Sequence, residues 1–150
     1  MIRPAQPSDR DAARALLVAQ LEEHALPTAP VDGALVGALE DPARATVLLA
    51  FDGASDGARA IGVAYVAFTW TLEHGGRAAW LEELFVVPEL RGKGVGGALL
   101  QAALDLARAR GCHAIDLEVE TDHARAANLY VRAGFRPHTR ARYVKKLTEA

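Results

Sequence analysis

The sequence predicts a single α+β domain, with a mixed, mostly antiparallel sheet of six to seven strands flanked by about four helices. Three observations predict it. Apolar strand-like segments are joined by a glycine hairpin signal, Glu73-His74-Gly75-Gly76. A glycine-rich turn leads from a strand into an amphipathic helix at Arg91–Gly97. No linker, repeat or low-complexity stretch divides the 150 residues, and a chain of that length buries roughly two-thirds of its unfolded surface around one core.

In chain order, Ile2–Ala5 reads as a first strand, and Pro7-Ser8 followed by Asp11 starts a helix that runs to about His24. Pro27 and Pro30 close that helix, and Val31–Glu40 forms a second. Thr46–Phe51 and Ala60–Thr71 are strands separated by the polar turn Asp52–Asp56. The hairpin signal makes the next strand, Ala78–Val87, antiparallel to its predecessor. In the helix after the glycine turn, Val95, Leu99, Ala103 and Leu106 share a face with Leu100, Leu104 and Ala107, and Gly111 supplies the left-handed cap. Ile115, Leu117 and Val119 alternate with acids, the period of a strand; joined through a helix, it must run parallel to its partner. Thr121 or Asp122 then caps a helix carrying Ala126, Leu129, Tyr130 and Ala133 on one side, and Gly134-Phe135 ends it as a Schellman stop. Arg140–Leu147 alternates as a last strand.

Composition excludes several function classes. A formal charge of −2 gives no global field for nucleic acid or an anionic membrane, and the basic stretch Arg136–Lys146 reads as a solvated strand face. Cys112 is the one cysteine, so no internal disulfide is expected and a cytoplasmic location is the simplest. Charges at Arg3, Asp9, Arg10, Asp11 and Arg14 argue against a signal peptide, and no run approaches the ~18 apolar residues of a membrane span. No metal ligand set is assigned.

The chemistry concentrates at Arg91-Gly92-Lys93-Gly94-Val95-Gly96-Gly97. Glycines let the backbone approach a ligand, and the first amides of a helix are unpaired donors at the positive end of its dipole. Together with Arg91 and Lys93 they suit a pyrophosphate. Walker-type phosphate loops are excluded, because no Gly-x-x-x-x-Gly-Lys-Ser/Thr pattern can be written. Gly92, Gly94 and Gly97 do fit Gly-x-Gly-x-x-Gly, with Asp116 or Glu118 about 20 residues beyond where a dinucleotide fold holds a ribose. Against that rival, Pro88-Glu89-Leu90 intervenes between strand and glycines, and too little chain remains for further βαβ units.

The run Val86-Val87-Pro88-Glu89-Leu90-Arg91-Gly92-Lys93-Gly94-Val95-Gly96, followed by Ala126-Ala127-Asn128-Leu129-Tyr130 and Gly134-Phe135, resembles the GNAT superfamily of N-acetyltransferases. Arg91, Gly94 and Gly96 occupy that family's coenzyme A signature, Arg/Gln-x-x-Gly-x-Gly/Ala. The resemblance implies a split between the fourth and fifth strands, into which the pantetheine arm of acetyl-coenzyme A inserts. Main-chain groups of Phe85, Val86 and Val87 would pair with pantetheine, and the amides of Gly92–Gly97, Lys93 and Val95 included, would hold the pyrophosphate. Relatives commonly carry Asn seven residues before the tyrosine; here that position is His123, which either meets the coenzyme or is exposed.

Acetyl transfer needs a neutral amine, an oxyanion donor and a proton for the leaving thiolate. The resemblance implies a bulge in the fourth strand, with the Leu84 or Phe85 amide facing the thioester carbonyl. It also implies Tyr130 as general acid and coenzyme contact, against a core tyrosine. Glu82 and Glu83 are adjacent on the fourth strand and therefore point to opposite faces, one toward the cleft. Glu82 matches the first acid of the Leu-Glu-Asp/Gly run of polyamine and some aminoglycoside acetyltransferases, which makes it the expected base and amine anchor. Glu23 and His24, with Trp70, Glu73 and His74 on the hairpin, are further acceptor candidates. The expected activity is acetylation of a small polyamine-like or aminoglycoside-like amine by a homodimer. A protein N-terminus or lysine as acceptor, or a coenzyme-binding regulatory module without turnover, are the alternatives.

Overall fold

The long apolar segments become the centre of one five-stranded sheet in the computed structural model, which describes residues 1–120 and 123–148. The elements are β1 (Ile2–Pro4), α1 (Arg10–Glu23), α2 (Val31–Glu40), β2 (Ala45–Phe51), β3 (Ala60–Thr71), β4 (Gly76–Val86), α3 (Val95–Ala109), β5 (Ala114–Leu117) and α4 (Ala124–Arg132). Strand order follows the chain, β1-β2-β3-β4-β5. The first four strands are antiparallel to their neighbours and β5 runs parallel to β4, as a helical crossover requires. The chain forms two compact units, Met1–Leu117 and Glu118–Ala150.

In the first unit, β3 shows how the sheet is sandwiched. A Cβ built on Gly62 would lie 2.8 Å from Leu99 Cδ1, so the even positions of β3 face α3. The Tyr65 hydroxyl donates to the Ala34 carbonyl at 3.0 Å, so the odd positions face α1 and α2. Gly62 lets α3 close onto β3 and bury Leu99, Leu100, Ala103 and Ala107, each leucine contributing about 1.5–3 kcal/mol. Gly111, at φ +71°, stops α3, with the Cys112 amide donating back to the Ala107 carbonyl at 2.9 Å.

The second unit holds α4 and irregular chain. Its helix ends as the sequence predicts. Gly134 has φ +95°, the Phe135 amide donates to the Tyr130 carbonyl at 3.0 Å, and the Gly134 amide donates to Val131 at 3.0 Å. The apolar partner of this Schellman stop is ring packing of Phe135 on Tyr130, centroids 5.8 Å apart. The cap expected at Thr121 or Asp122 lies outside the described residues, and His123 stands at the N-cap position.

The expected six to seven strands are corrected: among the described residues the sheet has five, and Arg140–Leu147 is not one of them. Alternation supplies a strand with two faces, but only a hydrogen-bonded neighbour stabilises its backbone, and Tyr143 and Leu147 are 93% and 89% exposed. The strand over Ile115–Val119 likewise stops at Leu117.

Candidate donor and acceptor site

The sheet opens where β4 and β5 stop pairing. Their contact runs from Ala78 opposite Ala114 to Leu81 opposite Leu117, leaving Glu82–Val86 of β4 without a β5 partner. The Val87 amide donates to the Ile61 carbonyl at 2.9 Å, which fixes the alternation of the ladder. Phe85 therefore turns its main-chain groups toward β3, and Leu84 and Val86 turn theirs to the open edge. Of the three residues expected to pair with pantetheine, Val86 alone turns its main-chain groups to this open edge, as Leu84 also does. Val87 is committed, its carbonyl accepting the Leu90 amide at 3.0 Å.

At the end of this edge lies the glycine turn. A short 3-10 turn at Pro88–Leu90 leads into Gly92 at φ +76° and Gly94 at φ +88°, the left-handed N-cap of α3. The first helical hydrogen bond is donated by Ala98 to Gly94 at 3.0 Å, so the amides of Val95, Gly96 and Gly97 precede the ladder at the positive end of α3. A Cβ on Gly97 would meet nothing within 4 Å, and one on Gly96 would meet only Val86 Cγ2 at 3.8 Å. The protein itself thus leaves room for side chains there, and the amides and exposed Lys93 ring a space suited to a phosphate.

Arg91 takes a different place from the one expected. Its Nη1 and Nη2 donate to the two Glu23 carboxylate oxygens at 2.7 and 2.9 Å, and Nε donates to the Val86 carbonyl at 2.9 Å. The guanidinium also lies 5.3 Å from the Phe85 ring centre. Arg91 thereby ties the end of α1 to the open edge, and Glu23 offsets its charge.

β4 carries the expected bulge, and it corrects the phase of the acids. Tyr65 stands opposite Glu83 and Val66 opposite Leu81, so Glu82 is an extra residue. Leu81 and Leu84 pair with even positions of β3 and face α3; both glutamates between them therefore face α1 and α2. The expectation that they point to opposite faces fails because a bulge absorbs one step of the alternation. Glu82 is exposed, whereas Glu83 is half-buried and accepts a 2.8 Å bond from Gln20 Nε2 of α1. Burial pushes the Glu83 carboxyl above the usual range, and the Gln20 bond and the nearby His24 imidazole pull it partly back. Burial, and then the Glu82 charge, push the Tyr65 phenol up.

Glu23, His24, Arg91, Glu82 and Glu83 are therefore brought together on one side of the first unit. Glu73 and His74 are not: they lie at the hairpin end, roughly 30 Å along β4 from the glycine turn. His74 Nε2 is 2.9 Å from Asp116 Oδ2, and His113 Nδ1 is 2.9 Å from the His74 carbonyl, so this group pins the hairpin to β5. Asp116 is thus engaged where the dinucleotide reading needs it for a ribose. Trp70 is 81% exposed. His123 is exposed and Tyr130 is half-buried, both in the second unit. Sequence reasoning missed Gln20 and Tyr65, whereas the Leu84 amide, one of the two expected oxyanion donors, does face the open edge. The spacing of Leu81 and Leu84 around two acids, three positions instead of two, was the available signal of the bulge.

Among the described residues no helix is long and apolar enough to cross a membrane. The geometry fits a class of protein that lays a long anionic ligand along an open strand edge beside a helix N-terminus. Residues 5–135 match the acetyltransferase (GNAT) family model, and the chain belongs to that family. It is 32% identical over 114 residues to an aminoglycoside N(6')-acetyltransferase type 1 of Klebsiella aerogenes, covering 75% of this chain and 72% of the relative. It is 48% identical over 69 residues to a mycothiol acetyltransferase of Clavibacter michiganensis, covering 46% of this chain. The chain spans only 18–31% of the length of the mycothiol acetyltransferases it matches. The crystal structure of a probable acetyltransferase superposes with a TM-score of 0.84 at 21% identity, covering 100% of this chain and 99% of that one. AAC(6')-Iy in complex with a bisubstrate analogue gives 0.80 at 18% identity, covering 99% and 98%. At these identities the two structures show the fold.

Proposed function

We propose that residues 1–150 form one acetyl-coenzyme A-dependent N-acetyltransferase domain that passes an acetyl group to a small primary amine by direct attack in a ternary complex. The observation that carries this reading is the open edge of β4 ending at the amide cradle of α3. When bound, acetyl-coenzyme A supplies an activated thioester. The Val86 amide, beside a carbonyl that already accepts Arg91 Nε, would hold an extended amide-bearing arm along the edge, and the amides of Val95–Gly97 with Lys93 would hold its pyrophosphate. The Leu84 amide, on the same edge, stabilises charge that develops on the carbonyl oxygen. The Tyr130 hydroxyl, a donor by its chemistry, gives its proton to the departing sulfur. The Schellman stop and the Phe135 ring fix that side chain on its helix.

The acceptor reading rests on charge. Glu82 and Glu83 share one face with Glu23, which favours a cationic polyamine-like or aminoglycoside-like amine, and the 32% relative named for aminoglycosides supports the same class. His24 lines this face, and His123 is a further coenzyme contact in this reading. A cytoplasmic homodimer completes it, for which light scattering on the purified chain is the check. The test of function is thiol release from acetyl-coenzyme A across a panel of polyamines, aminoglycosides and lysine peptides. Release with small amines sustains the proposal. Release with peptides alone moves the acceptor to proteins, and tight coenzyme binding with no release moves the chain to a regulatory module.

A further inference from the structure

We propose that Gln20 is a positioning residue for this reaction: its side-chain amide holds one oxygen of Glu83 so that the other takes the proton of the attacking amine, while Glu82 anchors the cation. The inference rests on the acetyltransferase reading and divides between two neighbouring acids the work that the sequence assigns to Glu82 alone.

The bulge carries the argument. A regular strand would have left one acid on the α3 face, yet both stand on the α1 and α2 face, side by side but in different surroundings. Glu82 is exposed, where a carboxylate is suited to attracting an ammonium group from solvent. Glu83 is half-buried, and burial disfavours its charged form, which makes the carboxylate a stronger proton acceptor. Gln20 Nε2 lies 2.8 Å from Oε2, which fixes the carboxylate plane and leaves Oε1 outside that bond. Glu83 also immediately precedes Leu84, whose amide serves the open edge, so base and oxyanion donor are successive residues of one strand. The other charged or titratable groups on this face are Glu23 and His24 of α1, Tyr65 of β3, Glu82 itself and Arg91, which Glu23 binds; on α2, Asp32 is held by Arg14.

The protonated amine first releases one proton to solvent. Its nitrogen then bonds to the acetyl carbon, the carbon–sulfur bond breaks, the second nitrogen proton passes to Glu83 Oε1, and the sulfur receives the Tyr130 proton. Both side chains return to their starting states by exchange with water.

The experiment compares kcat and kcat/KM against pH for the full chain and for Gln20→Met, Glu83→Gln, Glu82→Gln and His24→Asn, on the best amine of the panel. Removing a donor from a carboxylate raises its pKa, so Gln20→Met should move the acid limb to higher pH. The expected loss is about 3–10-fold at pH 6 and less than about threefold at pH 8.5, with coenzyme A affinity unchanged. Glu83→Gln should lower kcat by about 10²–10⁴ and abolish the limb. Glu82→Gln should act on KM, by about 2–5-fold, with the limb retained. His24→Asn should keep the limb, which separates the imidazole from the carboxylate. If Gln20→Met does not fold, Gln20→Ala, favourable inside a helix, repeats the measurement. An unmoved limb in the folded Gln20 variant overturns the positioning role while leaving the acetyltransferase reading intact. A limb lost in Glu82→Gln or His24→Asn, and kept in Glu83→Gln, overturns the division of roles. A wild-type chain that acetylates nothing in the panel removes the reading and this inference with it.

Discussion

Replacing Gly96 separates coenzyme binding from folding more cleanly than any other change in the glycine turn. Gly92 and Gly94 have positive φ, so any side chain there strains the backbone by about 1–2 kcal/mol and confuses the two effects. Gly96 is the second residue of α3, and its Cβ would lie 3.8 Å from Val86 Cγ2, ordinary contact. Folding should therefore tolerate Gly96→Val, because relief of glycine's entropic cost in a helix, about 0.5–1 kcal/mol, offsets crowding by the two added methyl groups. Binding should not. The valine would project where the cradle amides meet a pyrophosphate, and losing one charge-assisted hydrogen bond at about 1.5–3 kcal/mol weakens affinity roughly 10- to 150-fold. Calorimetric titration with coenzyme A, beside thermal unfolding of the same samples, reads both quantities without knowledge of the acceptor. A folded Gly96→Val chain that binds coenzyme A as tightly as the wild type would refute the pyrophosphate site and the function built on it.

Other expectations follow from single contacts. Tyr130→Phe keeps the ring packed against Phe135 but loses the hydroxyl, and should lower turnover by about 10²–10⁴ with coenzyme affinity unchanged in the same titration; retained turnover makes Tyr130 a packing residue. Gly62→Ala should destabilise by about 1–3 kcal/mol in urea unfolding, because its Cβ would stand 2.8 Å from Leu99 Cδ1 and 3.1 Å from the Phe85 carbonyl oxygen, which the ladder holds. Asp9 receives bonds from Arg3 at 2.6 and 3.0 Å and from the Gln6 amide at 2.8 Å, and these partners hold its carboxyl below the usual range. A depressed folded-state pKa contributes stability above the unfolded value near pH 4 that is lost as pH falls through the folded value. Asp9→Asn should therefore cost about 1 kcal/mol at pH 7 and progressively less below pH 4 in denaturant titrations; an equal cost at both would show that the charge does not matter.

By itself the sequence determined what depends on short-range chemistry. The bounds of α2 and β3, the antiparallel β3–β4 pair, the parallel β5, the glycine cap at Gly111 and the Schellman stop at Gly134-Phe135 follow from periodicity, glycine placement and crossover rules, all of which act within a few residues or one connection. The anion cradle was legible for the same reason, since a helix N-terminus after a glycine turn carries its function in its own backbone. Tertiary structure decided what depends on a neighbour. Arg140–Leu147 alternates as a strand would, yet a strand exists only when another strand completes its hydrogen bonds. Arg91 carries the charge of a phosphate ligand, yet it binds Glu23, 68 residues away in sequence. The acids of β4 were visible as a pair, but the face each occupies depends on a register shift against β3, and one residue of slip inverts a side chain's direction. Burial, which sets the Glu83 carboxyl apart from exposed Glu82, arises only when α1 packs across the bulge and brings Gln20 to the carboxylate.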